Sequence, residues 1–166
     1  MARGRKERKD SAKNAKGDRE NSINPRRFTW TSIYTDIDLC RVTENELSSI
    51  VIREAIDIHN ALGPGLLEKV YVECLYYRLK QCGLAVIKEQ PVPVIFEEVR
   101  MECGYRADLV VEQKLIVEAK SIDAVADIHI TRTLTYLKFA NCKLGLIINF
   151  NVALLKNGIK RVALGL

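Results

Sequence analysis

The 166-residue chain is long enough for one compact domain with an arm, and its 48% hydrophobic content supplies a core and argues against global disorder. Its formal net charge of +5 sits at one end: residues 1–27 carry ten Lys/Arg and four Asp/Glu, a surplus of +6, whereas residues 28–166 carry 16 and 17, or −1. The longest aliphatic run, Leu144-Gly145-Leu146-Ile147-Ile148, is far short of the ~20 residues of a membrane helix, and no apolar segment follows the charged N-terminus, so neither a membrane span nor a secretory signal is expected.

In chain order, residues 1–27 hold almost no large apolar side chain and cannot offset their ordering entropy, so residues 1–42 are expected to form a disordered basic arm and a linker, with the folded domain at 43–166. Such an arm grazes phosphates or is a solvated tail, the latter favoured by its lack of interleaved aromatic rings. Thr43-Glu44-Asn45-Glu46 is a capping box, and Leu47, Ile50, Val51, Ala55, Ile58 and Leu62 follow at helical spacing until Gly63-Pro64-Gly65 stops the helix. A second helix is expected from about Leu66 to Cys82, ended by Gly83. Short β-branched runs follow at Val86–Ile87, Val92–Phe96 and Val99–Met101, broken by Pro91, Pro93 and Glu97-Glu98. Tyr105–Val111 and Leu115–Ala119 then read as a hairpin around Glu112-Gln113-Lys114. Ile122–Ala140 shows both periods, and its length favours a helix. Leu144–Asn149 and Arg161–Leu164 read as strands. The order α-α-β-β-β-β-α-β-β predicts an α/β fold with a mixed central sheet flanked by helices.

Five scattered cysteines (Cys40, Cys74, Cys82, Cys103, Cys142), in no C-x-x-C pair, suit a reduced cytoplasmic protein better than a disulfide framework or thiolate zinc site. With only His59 and His129 available, any metal must be held by carboxylates, which points to a hard cation such as Mg²⁺ or Mn²⁺.

Counting five residues either side of Gln113 places Asp108 opposite Glu118, with Cβ atoms about 5 Å apart on one face. Lys120 shares that face two residues on. The flanking runs Leu109-Val110-Val111 and Leu115-Ile116-Val117 are apolar at every position, so both faces are covered and a surface ladder is the weaker reading. Two adjacent buried carboxylates repel unless a cation intervenes. Glu68 lies on the apolar stripe of helix two with Tyr71, Val72, Leu75, Leu79 and Cys82. It either faces the sheet toward a partner or reaches back to cap its own helix. His59 suits a helix C-terminus, and His129 stands one turn before Arg132.

Asp108-x₉-Glu118-Ala119-Lys120 resembles the core of the PD-(D/E)XK nuclease superfamily, and Gly65-Leu66-Leu67-Glu68-Lys69-Val70-Tyr71 resembles the signature of its GxxExxY members. The likeness spans about Glu46–Val162, through His59–Gly65, Gln90–Val94, Tyr105–Val111, Tyr136-Leu137-Lys138, Leu144–Phe150 and Asn157–Val162. It implies a restriction-endonuclease-like core and a metal-dependent nuclease acting on DNA or RNA. By the same resemblance, Asp108, Glu118 and the Ala119 carbonyl would ligate Mg²⁺ or Mn²⁺, Lys120 would position the attacking water, and Glu68 would assist the metal or its water shell. Where the family helix carries Gln-x-x-x-Tyr, this chain has Arg132 and keeps Tyr136. The arginine either clamps a substrate phosphate or neutralises the carboxylates and displaces the metal. The alternative to an enzyme is a catalytically degenerate nucleic-acid-binding or complex-forming protein of the same fold. The −1 balance of residues 28–166 is unusual for a general nucleic-acid binder. The oligomeric state stays open between monomer and dimer.

Overall fold

The structure, a computed structural model, describes Met1 and residues 42–102 and 105–165. The basic arm, the linker up to residue 41, Cys40 and Cys103 lie outside the described residues. The elements are α1 (Glu44–Leu62), α2 (Glu68–Gln81), β1 (Val86–Pro91), β2 (Val94–Phe96), β3 (Val99–Met101), β4 (Arg106–Val111), β5 (Leu115–Lys120), α3 (Asp127–Ala140), β6 (Leu144–Asn149), a 3₁₀ turn (Leu155–Asn157) and β7 (Ile159–Ala163).

α1 starts at the predicted capping box: the Thr43 hydroxyl accepts from Glu46 N, while the Glu46 carboxylate accepts from Thr43 N at 2.8 Å. Five strands precede α3, as many as the β runs read in the sequence and one more than the four in the predicted element order. β1 runs on through Pro91, while Val94–Phe96 pairs with Val99–Met101 as a separate two-stranded ribbon. Proline is tolerated there because β1 is an edge strand. α2 begins at Glu68, two residues late, because Gly65 holds a φ of +94° that only glycine takes readily.

The main sheet has the order β1-β4-β5-β6-β7; β5 and β6 run parallel and all other neighbours antiparallel, so the α/β class with a mixed sheet stands. α3 is the crossover between the two parallel strands. α1 and α2 cover one face, burying Leu47, Val51, Leu75 and Leu79 against Leu109, Val111, Leu115, Val117 and Leu146. α3 covers the other, with Tyr136 and Leu137 against Val110, Ile116 and Ile147. The central strands are therefore apolar on both faces, as their uninterrupted Leu/Val/Ile runs require. Gly145 lets α3 sit close to β6: a Cβ there would lie 2.7 Å from Thr133 Cγ2. Among the described residues, no helix is long and apolar enough to cross a membrane.

Candidate active site

The β4–β5 hairpin turns through Glu112 and Gln113, both at positive φ (+52° and +55°), with Lys114 N donating to Val111 O at 3.0 Å. Neither is the Asn-Gly that such a tight turn prefers. Tertiary bonds hold the conformation: Glu112 N donates to Ala85 O, and Glu112 Oε1 accepts from Ala85 N at 2.6 Å. From this turn the strands pair as Val111↔Leu115, Val110↔Ile116 and Leu109↔Val117. Asp108 and Glu118 come next in the same register, and there the side chains take over from the backbone ladder. Asp108 N donates to Glu118 Oε1 at 3.3 Å, and Ala119 N donates to Asp108 Oδ2 at 2.9 Å. The two acids thus meet where the hairpin opens at its base.

Lys120 ends β5 and fills that opening. Its Nζ lies 3.5 Å from Glu118 Oε2, 3.6 Å from Asp108 Oδ2, 3.7 Å from Glu68 Oε1 and 2.5 Å from the Ala119 carbonyl oxygen. Glu68 arrives from the first turn of α2; its residue neighbour Leu67, the N-cap, has no side-chain cap bond, and Glu68 turns to Lys120 rather than back to its own helix. The loop before it is tied down twice. Tyr71 Oη donates to Gly63 O at 2.7 Å and accepts from Leu66 N at 3.1 Å, while Ser121 Oγ donates to Leu66 O at 2.8 Å. Tyr71 itself is fully buried and stacked on Phe150, with ring centroids 4.2 Å apart.

Burial dominates the electrostatics. Desolvation, then the neighbouring Asp108 charge, pushes the Glu118 carboxyl up to about 7, with Lys120 pulling the other way. Burial also raises Asp108, opposed by Lys120. Tyr136, on α3, is raised by burial, then by Glu118, with Arg132 opposing, so its hydroxyl end shares the electrostatic surroundings of the two acids. Arg132 is exposed and forms no ion pair with either acid; the cation seated among the carboxylates is Lys120 instead.

Four residues were not picked out from the sequence. Asn149, buried on β6 beside Lys120 in the parallel register, accepts from Ile122 N at 3.1 Å and donates to Ile122 O at 2.8 Å, clamping the chain as it leaves Lys120. Ser121 links that same exit to the loop ahead of Glu68. Glu89 on β1 faces the Asp108 position, between the pairs Lys88↔Leu109 and Gln90↔Ala107, and adopts a left-handed φ of +48°. Its charge contributes to raising Asp108. Tyr105 meets Tyr136 edge-on, centroids 5.9 Å apart. Only a break in strand alternation around Asp108 could have signalled Glu89, and one sequence does not carry it. The histidines stay apart from the notch. His59 Nε2 donates to Val152 O at 2.8 Å, and His129 Nδ1 accepts from Ala126 N at 3.0 Å at the start of α3.

A cleft of about 460 Å³ adjoins the notch, lined by Glu68 and Asp108 with Lys69, Val72, Lys88 and Glu89. A more apolar cleft of about 400 Å³ between α1 and α2 contains none of the converging residues. Among the described residues, no group of three or more His, Cys, Asp or Glu side chains is placed to hold a metal ion. Asp108 and Glu118 with the Ala119 carbonyl are nevertheless hard oxygen donors of the kind Mg²⁺ accepts, and they already gather around one cation, the Lys120 ammonium. The donor types suit a divalent ion, and the Lys120 ammonium takes the place among them.

No curated protein and no solved structure gives a significant match to the chain. A family model described as the PD-(D/E)XK nuclease superfamily matches residues 45–162, from the first turn of α1 to the last strand. With this match extending over most of its length, the chain belongs to the PD-(D/E)XK nuclease superfamily.

Proposed function

We propose that this protein is a metal-dependent phosphodiesterase of the GxxExxY kind, acting on DNA or RNA with Mg²⁺ or Mn²⁺. One observation carries the reading: Glu68, Asp108, Glu118 and Lys120, drawn from three elements, meet at one notch in a chain of a nuclease superfamily. Asp108, Glu118 and the Ala119 carbonyl would hold the cation. When bound, it supplies a lowered pKa for water and electrostatic stabilisation of the phosphate.

The protein's own groups do the positioning. Lys120 holds a water in line with the phosphorus and offsets the negative charge that grows on the phosphate oxygens. Glu68, at the more open rim, accepts a hydrogen bond from that water and fixes its direction. Arg132 contacts a substrate phosphate, and Tyr136 packs beside it. Hydrolysis adds water across one P–O bond, leaving a phosphate monoester on one fragment and a hydroxyl on the other. The free thiols Cys74, Cys82 and Cys142 support a reducing, cytoplasmic setting.

The competing reading is a binding or complex-forming protein in which the cluster only holds the fold. It is favoured by the seat that the Lys120 ammonium already takes among the carboxylates. Calorimetric titration of Mn²⁺ into the protein and into Asp108→Ala separates the two. Uptake lost in the variant, with cleavage of DNA or RNA abolished by Lys120→Ala, supports the enzyme. No uptake by the unaltered protein supports the binding module.

A further inference from the structure

Tyr105 has no part in the chemistry above, yet its position is defined. It stands three residues before Asp108, and its carbonyl accepts from Val92 N at 2.9 Å, which fixes the backbone before β4 begins. Its ring meets that of Tyr136 at 62°, and Tyr136 is 5% exposed while Tyr105 remains 42% exposed. Tyr136 in turn lies within electrostatic reach of Glu118 and Asp108, with Arg132 one helical turn away on α3. An aromatic surface, Tyr105 packed edge-on against buried Tyr136 and itself open to solvent, therefore stands three residues before Asp108, at the start of the strand that carries that acid.

Charge decides what such a surface can hold. Duplex binding draws most of its affinity from Lys/Arg contacts to phosphates. Residues 28–166 balance at −1, and the cleft at the notch is lined by Glu68, Glu73, Glu89 and Asp108 against Lys69 and Lys88. Two of the cations next to the site are already engaged, Lys88 with Glu73 and Arg106 with Glu89. Among the described residues lining the cleft, little unpaired basic surface remains to grip a double helix. Stacking needs no positive charge: one base on an aromatic ring contributes about 1–3 kcal/mol. A base can reach such a ring only when it is unpaired.

We propose that Tyr105, braced by Tyr136 at the rim of the carboxylate notch, is a stacking platform for an unpaired nucleobase and makes single-stranded nucleic acid the preferred substrate. The inference rests on the phosphodiesterase reading and deepens it. Tyr105 is a specificity residue: it touches the base next to the scissile phosphate, not the reacting atoms.

The test uses the full chain, with a fluorescein-labelled oligodeoxyadenylate 12-mer, the same strand in a blunt duplex, and the same strand carrying abasic positions. Binding is measured by anisotropy in Ca²⁺, and cleavage in Mg²⁺ or Mn²⁺. The unaltered protein should bind and cut the single strand in preference to the duplex. Tyr105→Leu, which keeps an apolar cover over Tyr136 but removes the ring, should weaken single-strand binding about 5- to 150-fold and raise KM with little change in kcat. Tyr105→Phe should keep the original affinity, and abasic strands should lose it even with the unaltered protein, a comparison that holds whether or not the leucine variant folds. Equal cutting of duplex and single strand, or abasic strands bound as well as intact ones, overturns the stacking role and leaves the nuclease reading standing. Failure to bind or cut any of the three strands sinks both.

Discussion

The ammonium of Lys120 donates to the carbonyl oxygen of its own neighbour, Ala119, at 2.5 Å, and so covers one of the oxygens proposed for a metal. It also lies within 3.7 Å of all three carboxylates of the notch. A resident cation and an incoming one therefore compete for the same donors. At an effective dielectric near 20, two unit charges about 4 Å apart repel by about 4 kcal/mol. Lys120→Met should accordingly bind Mn²⁺ at least about tenfold more tightly at pH 8, measured by calorimetry, while cleaving at least about 100-fold more slowly. Metal affinity unchanged or weakened in that variant would show that the ammonium and the metal do not share a seat.

Glu118 makes the protein's stability depend on pH in an unusual direction. Its carboxyl is raised from 4.5 to about 7 in the fold, chiefly by burial, so between these values the native state holds a proton that the unfolded chain has released. The contribution of Glu118 to stability is therefore full below about pH 4.5 and is lost as pH rises through about 7, by roughly 3 kcal/mol. Glu118→Gln cannot ionise. In the absence of metal, the variant should gain on the unaltered protein between about pH 5 and 7 in urea melts and level off above that. Parallel pH profiles for the two proteins would mean that Glu118 titrates normally. Saturating Mn²⁺ should flatten the difference, since the cation favours the ionised acid.

Tyr71 carries the geometry of the Gly63–Leu67 loop on one hydroxyl. Tyr71→Phe keeps the stack on Phe150 but leaves Gly63 O and Leu66 N without their shared partner. A loss of about 1–3 kcal/mol is expected. Faster amide exchange should be confined to residues 63–68, together with a fall in activity, since Glu68 leaves that loop for Lys120. Exchange spread evenly over α1 and α2 would instead mark a general packing defect.

How far the site could be read from the sequence depends on how local each contact is. The hairpin register followed from symmetry about Gln113, because a two-stranded turn fixes its own pairing, and Asp108 and Glu118 meet across it as that count requires. The capping box of α1 is similarly self-contained. The partner of Glu68 was not legible: Lys120 is 52 positions away, and position on the helix alone left capping and sheet-facing readings level. The parallel register that puts Lys120 beside Asn149 depends on the α3 crossover, and no periodicity in β6 encodes it. The left-handed Glu89 was invisible for a different reason. A non-glycine residue takes that conformation only when its surroundings impose it, so the residue type carries no sign of it.

Gly145 joins packing to substrate contact. Gly145→Ala would place a methyl 2.7 Å from Thr133 Cγ2, and Thr133 is buried, so α3 must shift or the strand must bend. Overpacking of this kind costs about 1–3 kcal/mol. Because α3 carries Arg132 and Tyr136 but none of the groups around Lys120, the displacement should raise KM for an oligonucleotide while Mn²⁺ binding stays intact. Thr133→Ser removes the clashing methyl and keeps the hydroxyl that donates to His129 O at 3.0 Å, so the double variant should recover most of both losses. A double-mutant cycle in urea with a coupling energy near zero would place the strain elsewhere, and Gly145 would then be required for some reason other than the approach of α3.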